Sequence, residues 1–295
     1  MLLSPAKVNL RLEVLYKRED GYHEIRTLME RIDLCDELEI SLEGDGIDVS
    51  SEGEEIPRGS DNIVYHAVRS ILDRCGISIG IRVFIRKRIP VASGLGGGSS
   101  NAATTLMGLN ELLKLGLTKK ELIETGTQLG ADVPFFILEK PALATGIGDR
   151  LKEIKLPSPI WMVLVNPGIA VSTAWAYKNL NIGLTKKKNN ISMLSLKADI
   201  FNIANIVNFL YNDLEGVTLK RYPEIQSVKE QLVDQGAVGA LMSGSGPTVF
   251  GIFPDKELAE KAFYRISSTH QDYTLFLSSN FDDKYQGGVN GSNRS

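Results

Sequence analysis

The chain has little cysteine and little histidine, 2 and 3 residues in 295. Cys35 and Cys75 share no CxxC spacing with each other or with a histidine. That excludes a disulfide framework and a thiolate metal site, and reduced, buried thiols are expected. No apolar run reaches about 18 residues, so no membrane-spanning helix is expected. The start, Met1-Leu2-Leu3-Ser4-Pro5-Ala6-Lys7, lacks the apolar stretch of a signal peptide. An excess of one charge is missing too. Lys and Arg total 33 against 36 Asp and Glu, a net charge of −3, which offers no electrostatic ground for a nucleic-acid partner. The expectation is a soluble cytoplasmic protein without nucleic-acid or membrane partners. Monomer and homodimer stay equally open.

The familiar nucleotide signatures are absent as well. A Walker loop ends in Gly-Lys-Ser/Thr, and here Gly98 is followed by Ser99. A dinucleotide fingerprint wants a glycine at its sixth position, and counted from Gly94 that position is Ser99. The HRD and DFG signatures of protein kinases do not occur. What is present is Pro90-Val91-Ala92-Ser93-Gly94-Leu95-Gly96-Gly97-Gly98-Ser99-Ser100-Asn101-Ala102-Ala103. Glycine turns where other residues clash and lets a backbone approach a ligand closely. A helix N-terminus offers unpaired N–H groups and the positive end of a dipole. Glycines packed against Ser-Ser-Asn at a helix start therefore read as a phosphate-binding loop.

Around that loop the pattern is mixed. Ala6 to Leu15 alternates apolar residues with Lys7, Asn9, Arg11 and Glu13, a half-buried strand with Lys7 and Asn9 on its polar face. Residues 32–42 and 79–89 read as strands. Ser60 can cap a helix closed by Gly76, and a helix from about Ser99 to Leu115 follows the loop. Thr118-Lys119-Lys120-Glu121 is a capping box opening a helix that Gly130 ends. Ile160–Asn166, Ala237–Met242 and Thr248–Phe253 read as strands, and Glu224–Gln235 and Glu257–Ser267 as helices. Residues 185–190 read as a solvated loop, and the tail 283–295 as poorly ordered. Strands and helices that do not alternate regularly predict an α+β fold. The proline break at Pro157 and Pro159 places a boundary near Leu156, giving domains 1–156 and 157–282.

Ser4-Pro5-Ala6-Lys7-Val8-Asn9-Leu10, the loop 90–103, and Leu241-Met242-Ser243-Gly244-Ser245-Gly246-Pro247-Thr248 resemble motifs one, two and three of the GHMP small-molecule kinases. Order and spacing agree along nearly the whole chain. Gly21-Tyr22-His23-Glu24-Ile25, Gly130-Ala131-Asp132-Val133-Pro134-Phe135-Phe136 and Asn212-Asp213-Leu214-Glu215 are similar to the branch of that superfamily whose acceptor is 4-diphosphocytidyl-2-C-methyl-D-erythritol. Asp149 stands where that branch more often has Glu, and the tail has no counterpart.

The resemblance implies a two-domain fold with the active-site cleft between an N-terminal ATP-binding domain and a C-terminal domain. It implies ATP and Mg²⁺, and phosphorylation of the acceptor's 2-hydroxyl in the non-mevalonate route to isoprenoid precursors. Read alone, Lys7 is a solvated strand lysine and Asp132 a turn residue before Pro134. Through the resemblance they are a catalytic pair: Asp132 takes or orients the hydroxyl proton, and Lys7 stabilises charge near the transferring phosphoryl. Asn9, Tyr22, His23, Thr173 and Tyr177 are implied to hold the acceptor, with Tyr22 and Tyr177 on the two faces of the cytosine and His23 at its edge. Asn62, Ile63 and Lys87 match the adenine surroundings. Ser99 or Ser100 is a candidate for phosphate or Mg²⁺. Another GHMP kinase acting on homoserine or mevalonate, and a catalytically dead nucleotide-binding module, are the alternatives.

Overall fold

The computed structural model describes residues 1–181 and 203–281. The expected loop at 185–190 and the tail 283–295 lie outside them. The chain opens with β1 (Leu2–Lys17), which pairs antiparallel with β2 (His23–Ser41) along almost its full length. Next come β3 (Ile47–Glu52), α1 (Ile63–Cys75), β4 (Ile81–Arg86), α2 (Gly97–Leu112), α3 (Lys119–Leu129), α4 (Val133–Leu138), β5 (Ala142–Thr145) and β6 (Arg150–Glu153). The second half contributes β7 (Trp161–Asn166), α5 (Thr173–Asn179), α6 (Ile203–Phe209), β8 (Tyr211–Asn212), α7 (Glu215–Arg221), α8 (Pro223–Asp234), β9 (Gly239–Met242), β10 (Val249–Phe253), α9 (Lys256–Thr269) and β11 (Thr274–Ser279).

Among the described residues these strands form two sheets. One runs β3-β4-β2-β1-β8, with β5 and β6 added on β2, and the other runs β11-β7-β10-β9. The α+β expectation holds. The helices α1 to α4 pack on the first sheet around Leu38, Ile71, Val83, Leu106 and Phe135. A second cluster, with Val163, Ile225, Val228 and Phe253, lies mostly in the second half. A third draws Val8, Leu10 and Ile89 together with Met162, Leu164 and Phe250, so the halves on either side of Leu156 share buried apolar surface. No helix among the described residues is long and apolar enough to cross a membrane.

Several expectations need correction. β1 is not half-buried, because Lys7, Asn9, Arg11 and Glu13 on its polar side are buried too. A bulge between Asn9 and Arg11 shifts its phase, and Leu12 joins Lys7 and Asn9 on the cleft wall. β2 begins at His23, not near residue 32. Its charged residues break the apolar alternation, but Arg26 is neutralised by an ion pair with Glu13 across the strands. Helix α1 is capped by Asn62, whose side chain accepts from the Val64 N–H, and not by Ser60. Helix α2 starts two residues earlier than expected, at Gly97, and ends at Leu112. The capping box at Thr118 forms as read. Both cysteines are free thiols, but only Cys35 is buried, and Cys75 is partly exposed.

Candidate active site

A cleft of about 760 Å³ opens between the two halves. Motifs one, two and three meet at its floor. Gly94 (φ +81°) and Gly96 (φ +73°) take left-handed backbone conformations that bend the loop into α2. Gly94 must also be glycine for lack of space: a Cβ there would lie 2.2 Å from the Ser243 carbonyl oxygen of motif three. The Gly94 carbonyl accepts from the Ser243 hydroxyl at 3.0 Å and from Lys7 Nζ at 3.0 Å. The Lys7 N–H donates to the Leu95 carbonyl at 2.9 Å, and the Thr248 N–H to the Ser93 carbonyl at 3.3 Å. Gly97 has no positive φ. A Cβ there would sit 3.0 Å from Lys87 Nζ and from Ile89, a tight fit that those side chains would have to yield to.

Gly96 is the N-cap of α2 and makes no side-chain cap. The first N–H groups of the helix therefore face the cleft without a capping oxygen, an arrangement suited to phosphate oxygens. Pro90, Val91, Ala92, Ser93, Gly94, Gly96, Gly97, Gly98 and Ser99 line the cleft. Leu95 and Ser100 do not. Leu95 is packed in the core, and the Ser100 hydroxyl is buried, accepting from Ser4 Oγ at 2.8 Å. Of the two serines, only Ser99 lines the cleft.

Lys7 and Asp132 converge from opposite sides. Lys7 projects from β1, and Asp132 is the residue before α4, a short helix not expected from the sequence. Lys7 Nζ is 3.7 Å from Asp132 Oδ2, an ion pair rather than a tight hydrogen bond. The same ammonium donates to Asn9 Oδ1. Burial pushes the Lys7 pKa below the ordinary lysine range, and the Asp132 charge opposes that shift without cancelling it. Lys7 is 4% exposed and the Asp132 side chain 35%, so the carboxylate is the half of the pair that a ligand can reach. Asn9 is held by its own neighbours: Nδ2 donates to Thr27 Oγ1 at 2.8 Å, and Thr27 Oγ1 to the Arg11 carbonyl at 2.7 Å.

The remaining predicted residues divide between the two ends of the cleft. Asn62 and Ile63 border an apolar compartment with Ile56, Pro57 and Ile85. The Asn62 side chain is committed, donating to the Pro57 carbonyl at 2.7 Å while it caps α1. Lys87 lies under the glycine loop, paired to Asp36 at 2.7 Å, and its side chain is 3% exposed. At the other end, the His23 and Tyr177 rings stack with centroids 5.2 Å apart. The cytosine is expected between Tyr22 and Tyr177 with His23 at its edge, and here the His23 ring itself lies against Tyr177. Tyr22 is largely exposed beside them. Burial, reinforced by the Lys17 charge, pushes the His23 pKa down and keeps the imidazole neutral near pH 7. Burial first, and the Asp132 charge second, push the Tyr177 phenol well above its usual range, so its hydroxyl stays a donor. Thr173 Oγ1 is 2.8 Å from the Ser245 hydroxyl on the same wall.

Several residues that shape the site carry no local sequence signal. Asp36 sits in an ordinary strand, and Thr27 in the part of β2 that the alternation missed. The Asn212-Asp213-Leu214-Glu215 segment was legible as a motif but not as a brace. Asn212 Nδ2 donates to the Met242 and Gly244 carbonyls at 2.7 and 2.8 Å, and Glu215 accepts from the Met242 N–H at 2.9 Å.

Comparison with known proteins agrees with this geometry. The GHMP kinases N terminal domain matches residues 62–140, and the GHMP kinases C terminal domain matches residues 194–272. A 4-diphosphocytidyl-2-C-methyl-D-erythritol kinase from Syntrophotalea carbinolica is 51% identical over 267 residues, covering 90% of this chain and 94% of that protein. A crystal structure of a 4-(cytidine 5'-diphospho)-2C-methyl-D-erythritol kinase superposes with a TM-score of 0.78 at 33% identity, over 95% of this chain and 99% of that one. A homoserine kinase from Cytophaga hutchinsonii superposes at 0.73 with 22% identity, over 95% and 94% of the two chains, a likeness of fold alone.

Proposed function

The chain belongs to the GHMP kinases, and we propose that it transfers the γ-phosphoryl group of ATP to the 2-hydroxyl of 4-diphosphocytidyl-2-C-methyl-D-erythritol. The observation that carries this reading is one cleft holding an uncapped helix N-terminus, the Lys7–Asp132 pair and the His23–Tyr177 rings. Phosphoryl transfer asks little covalent chemistry of a protein. It asks for positioned reactants and for positive charge where the transition state is negative. The N–H groups at the start of α2 receive phosphate oxygens, and the apolar compartment beside Ile63 receives the adenine. Asp132, the reachable partner of the ion pair, accepts the proton of the attacking hydroxyl. Lys7, held by Asn9 and Gly94, stabilises charge on the transferring group. His23, Tyr22 and Tyr177 bind the cytosine ring, and Thr173 borders the acceptor.

Magnesium bound with the triphosphate would supply further positive charge, and Ser99, a hard oxygen donor in the cleft lining, is the residue that would help to hold it. Among the described residues no cluster of three or more His, Cys, Asp or Glu forms a metal site.

The test is ATP turnover by the purified protein with the cytidine substrate, with homoserine, with mevalonate, and with no acceptor. Turnover that depends on the cytidine compound supports the reading. Equal use of homoserine leaves a GHMP kinase of another specificity, and ATP binding without turnover leaves a nucleotide-binding module.

A further inference from the structure

Asp36 is fully buried and does not line the cleft, yet both ends of the glycine loop stand on its carboxylate. Oδ1 accepts from the backbone N–H groups of Arg88 at 2.8 Å and Ile89 at 2.9 Å, the residues that lead into Pro90. Oδ2 accepts from Asn101 Nδ2 at 2.9 Å, just past the first turn of α2. The same oxygen takes Lys87 Nζ at 2.7 Å. One carboxylate thus ties the strand β2, the entry to the loop and the exit from it. Asn101 extends the tie to Ser4 Oγ at 2.9 Å, and Ser4 donates onward to Ser100 at 2.8 Å.

A buried carboxylate is costly unless its oxygens are satisfied. Here each oxygen accepts two hydrogen bonds, and one donor carries a full positive charge. The placement of that charge matters. Lys87 Nζ also donates to the Ile89 carbonyl at 2.6 Å, and it lies 3.0 Å from where a Gly97 Cβ would be. The ammonium is therefore held at the positive end of the α2 dipole, beneath the N–H groups that face the cleft. Left alone, a lysine there would repel the helix end and swing toward solvent. Asp36 is the partner that holds it in place.

We propose that Asp36 is a positioning residue for the donor triphosphate. It sets the separation of the loop's two ends and holds the Lys87 ammonium beneath the phosphates, without touching the nucleotide. The inference rests on the reading of the cleft as an ATP site.

The test uses Asp36→Asn and, separately, Asn101→Ser in the full chain. Asp36→Asn keeps the shape but replaces one acceptor oxygen with a donor group. Asn101→Ser keeps Asp36 and its other partners but removes the tie from the carboxylate to the helix, together with the Asn101 bond to Ser4. Calorimetry with ATP and with adenosine is combined with steady-state kinetics on both substrates. ATP affinity should fall about tenfold in Asp36→Asn, the scale of one charge-assisted hydrogen bond, and about threefold in Asn101→Ser. Adenosine affinity and the Michaelis constant for the acceptor should stay within about twofold. A purely structural role would lower the melting temperature and weaken ATP and adenosine alike, and that result overturns the proposal. So does unchanged ATP affinity in either folded variant. Asn101→Ser decides the matter if Asp36→Asn does not fold. If the wild-type chain bound no ATP, the reading of the cleft would fail instead, and that outcome is separate from any difference between variants.

Discussion

At the donor end of the cleft, the glycine loop is gripped by motifs one and three, whereas at the acceptor end one aromatic ring rests on another. Gly94 is pressed against the Ser243 carbonyl and hydrogen-bonded by Lys7 and Ser243, and both ends of the loop are anchored on Asp36. By contrast, Tyr22 is 61% exposed, and His23 stacks on Tyr177 with the ring planes 30° apart. The donor end is preorganised, so nucleotide binding spends little free energy on ordering it. At the acceptor end, a base that stacks on the Tyr177 face now covered by His23 would have to displace that ring, and such a displacement would lower its apparent affinity.

The largest effect expected is at the junction of the two ends. Asp132→Asn keeps the shape and removes the proton acceptor, and kcat should fall roughly 10²- to 10⁴-fold with ATP binding retained. Near-normal turnover by a folded variant would remove Asp132 from the chemistry. Gly94→Ala then probes the rigid end. Its positive φ and the 2.2 Å approach to Ser243 leave a methyl group no place, and strain of about 1–3 kcal/mol should weaken ATP roughly 5- to 150-fold. Gly98→Ala, where a Cβ meets only Ile63 at 3.6 Å, should change calorimetric ATP affinity far less. Equal losses at the two positions would mean that the loop is not braced as described.

Tyr177→Ala tests the acceptor end. Loss of a base–aromatic stack costs about 1–3 kcal/mol, so the Michaelis constant for the cytidine substrate should rise roughly 5- to 150-fold, with that for ATP unchanged. Tyr22→Ala should fall at the low end of that range, because the exposed ring is less confined. An increase in the ATP constant in either variant would erase the division of labour. The smallest effect is on pH dependence. Burial lowers the Lys7 pKa, and the charged form is the one proposed to act. Activity should therefore decline as pH rises through that lowered value, below the usual lysine range. Lys7→Arg keeps its charge throughout and should lose the alkaline decline even if its overall rate is lower. An alkaline limb that persists unchanged in Lys7→Arg would assign it to another group.

The glycine-rich loop stood out by its own residue types, whereas Lys7, Asp132, Tyr22, His23 and Tyr177 stood out only through the resemblance of the short motifs that hold them. The capping box at Thr118 was legible from its own residue types too, its partners being three residues apart. The start of β2 was not. Its Arg26 reads as surface until paired with Glu13 on another strand. Asn62 and Lys87 were found as cleft residues, but their side chains proved to be spent on Pro57 and Asp36.

By itself, then, the sequence determined the local devices: where the backbone must turn tightly, where a helix can start with free N–H groups, which face of β1 carries Lys7 and Asn9. Only the tertiary structure decided what each device faces. The bulge after Asn9 put Leu12 rather than Arg11 on the cleft wall, and the Ser100 hydroxyl is taken up by Ser4 while Ser99 lines the cleft. The physical reason is range. Turn and capping preferences act over a few bonds and are written in neighbouring residues. Burial and buried charge pairing act between segments as distant as Asp36 and Asn101, and they exist only once the chain has brought those segments together.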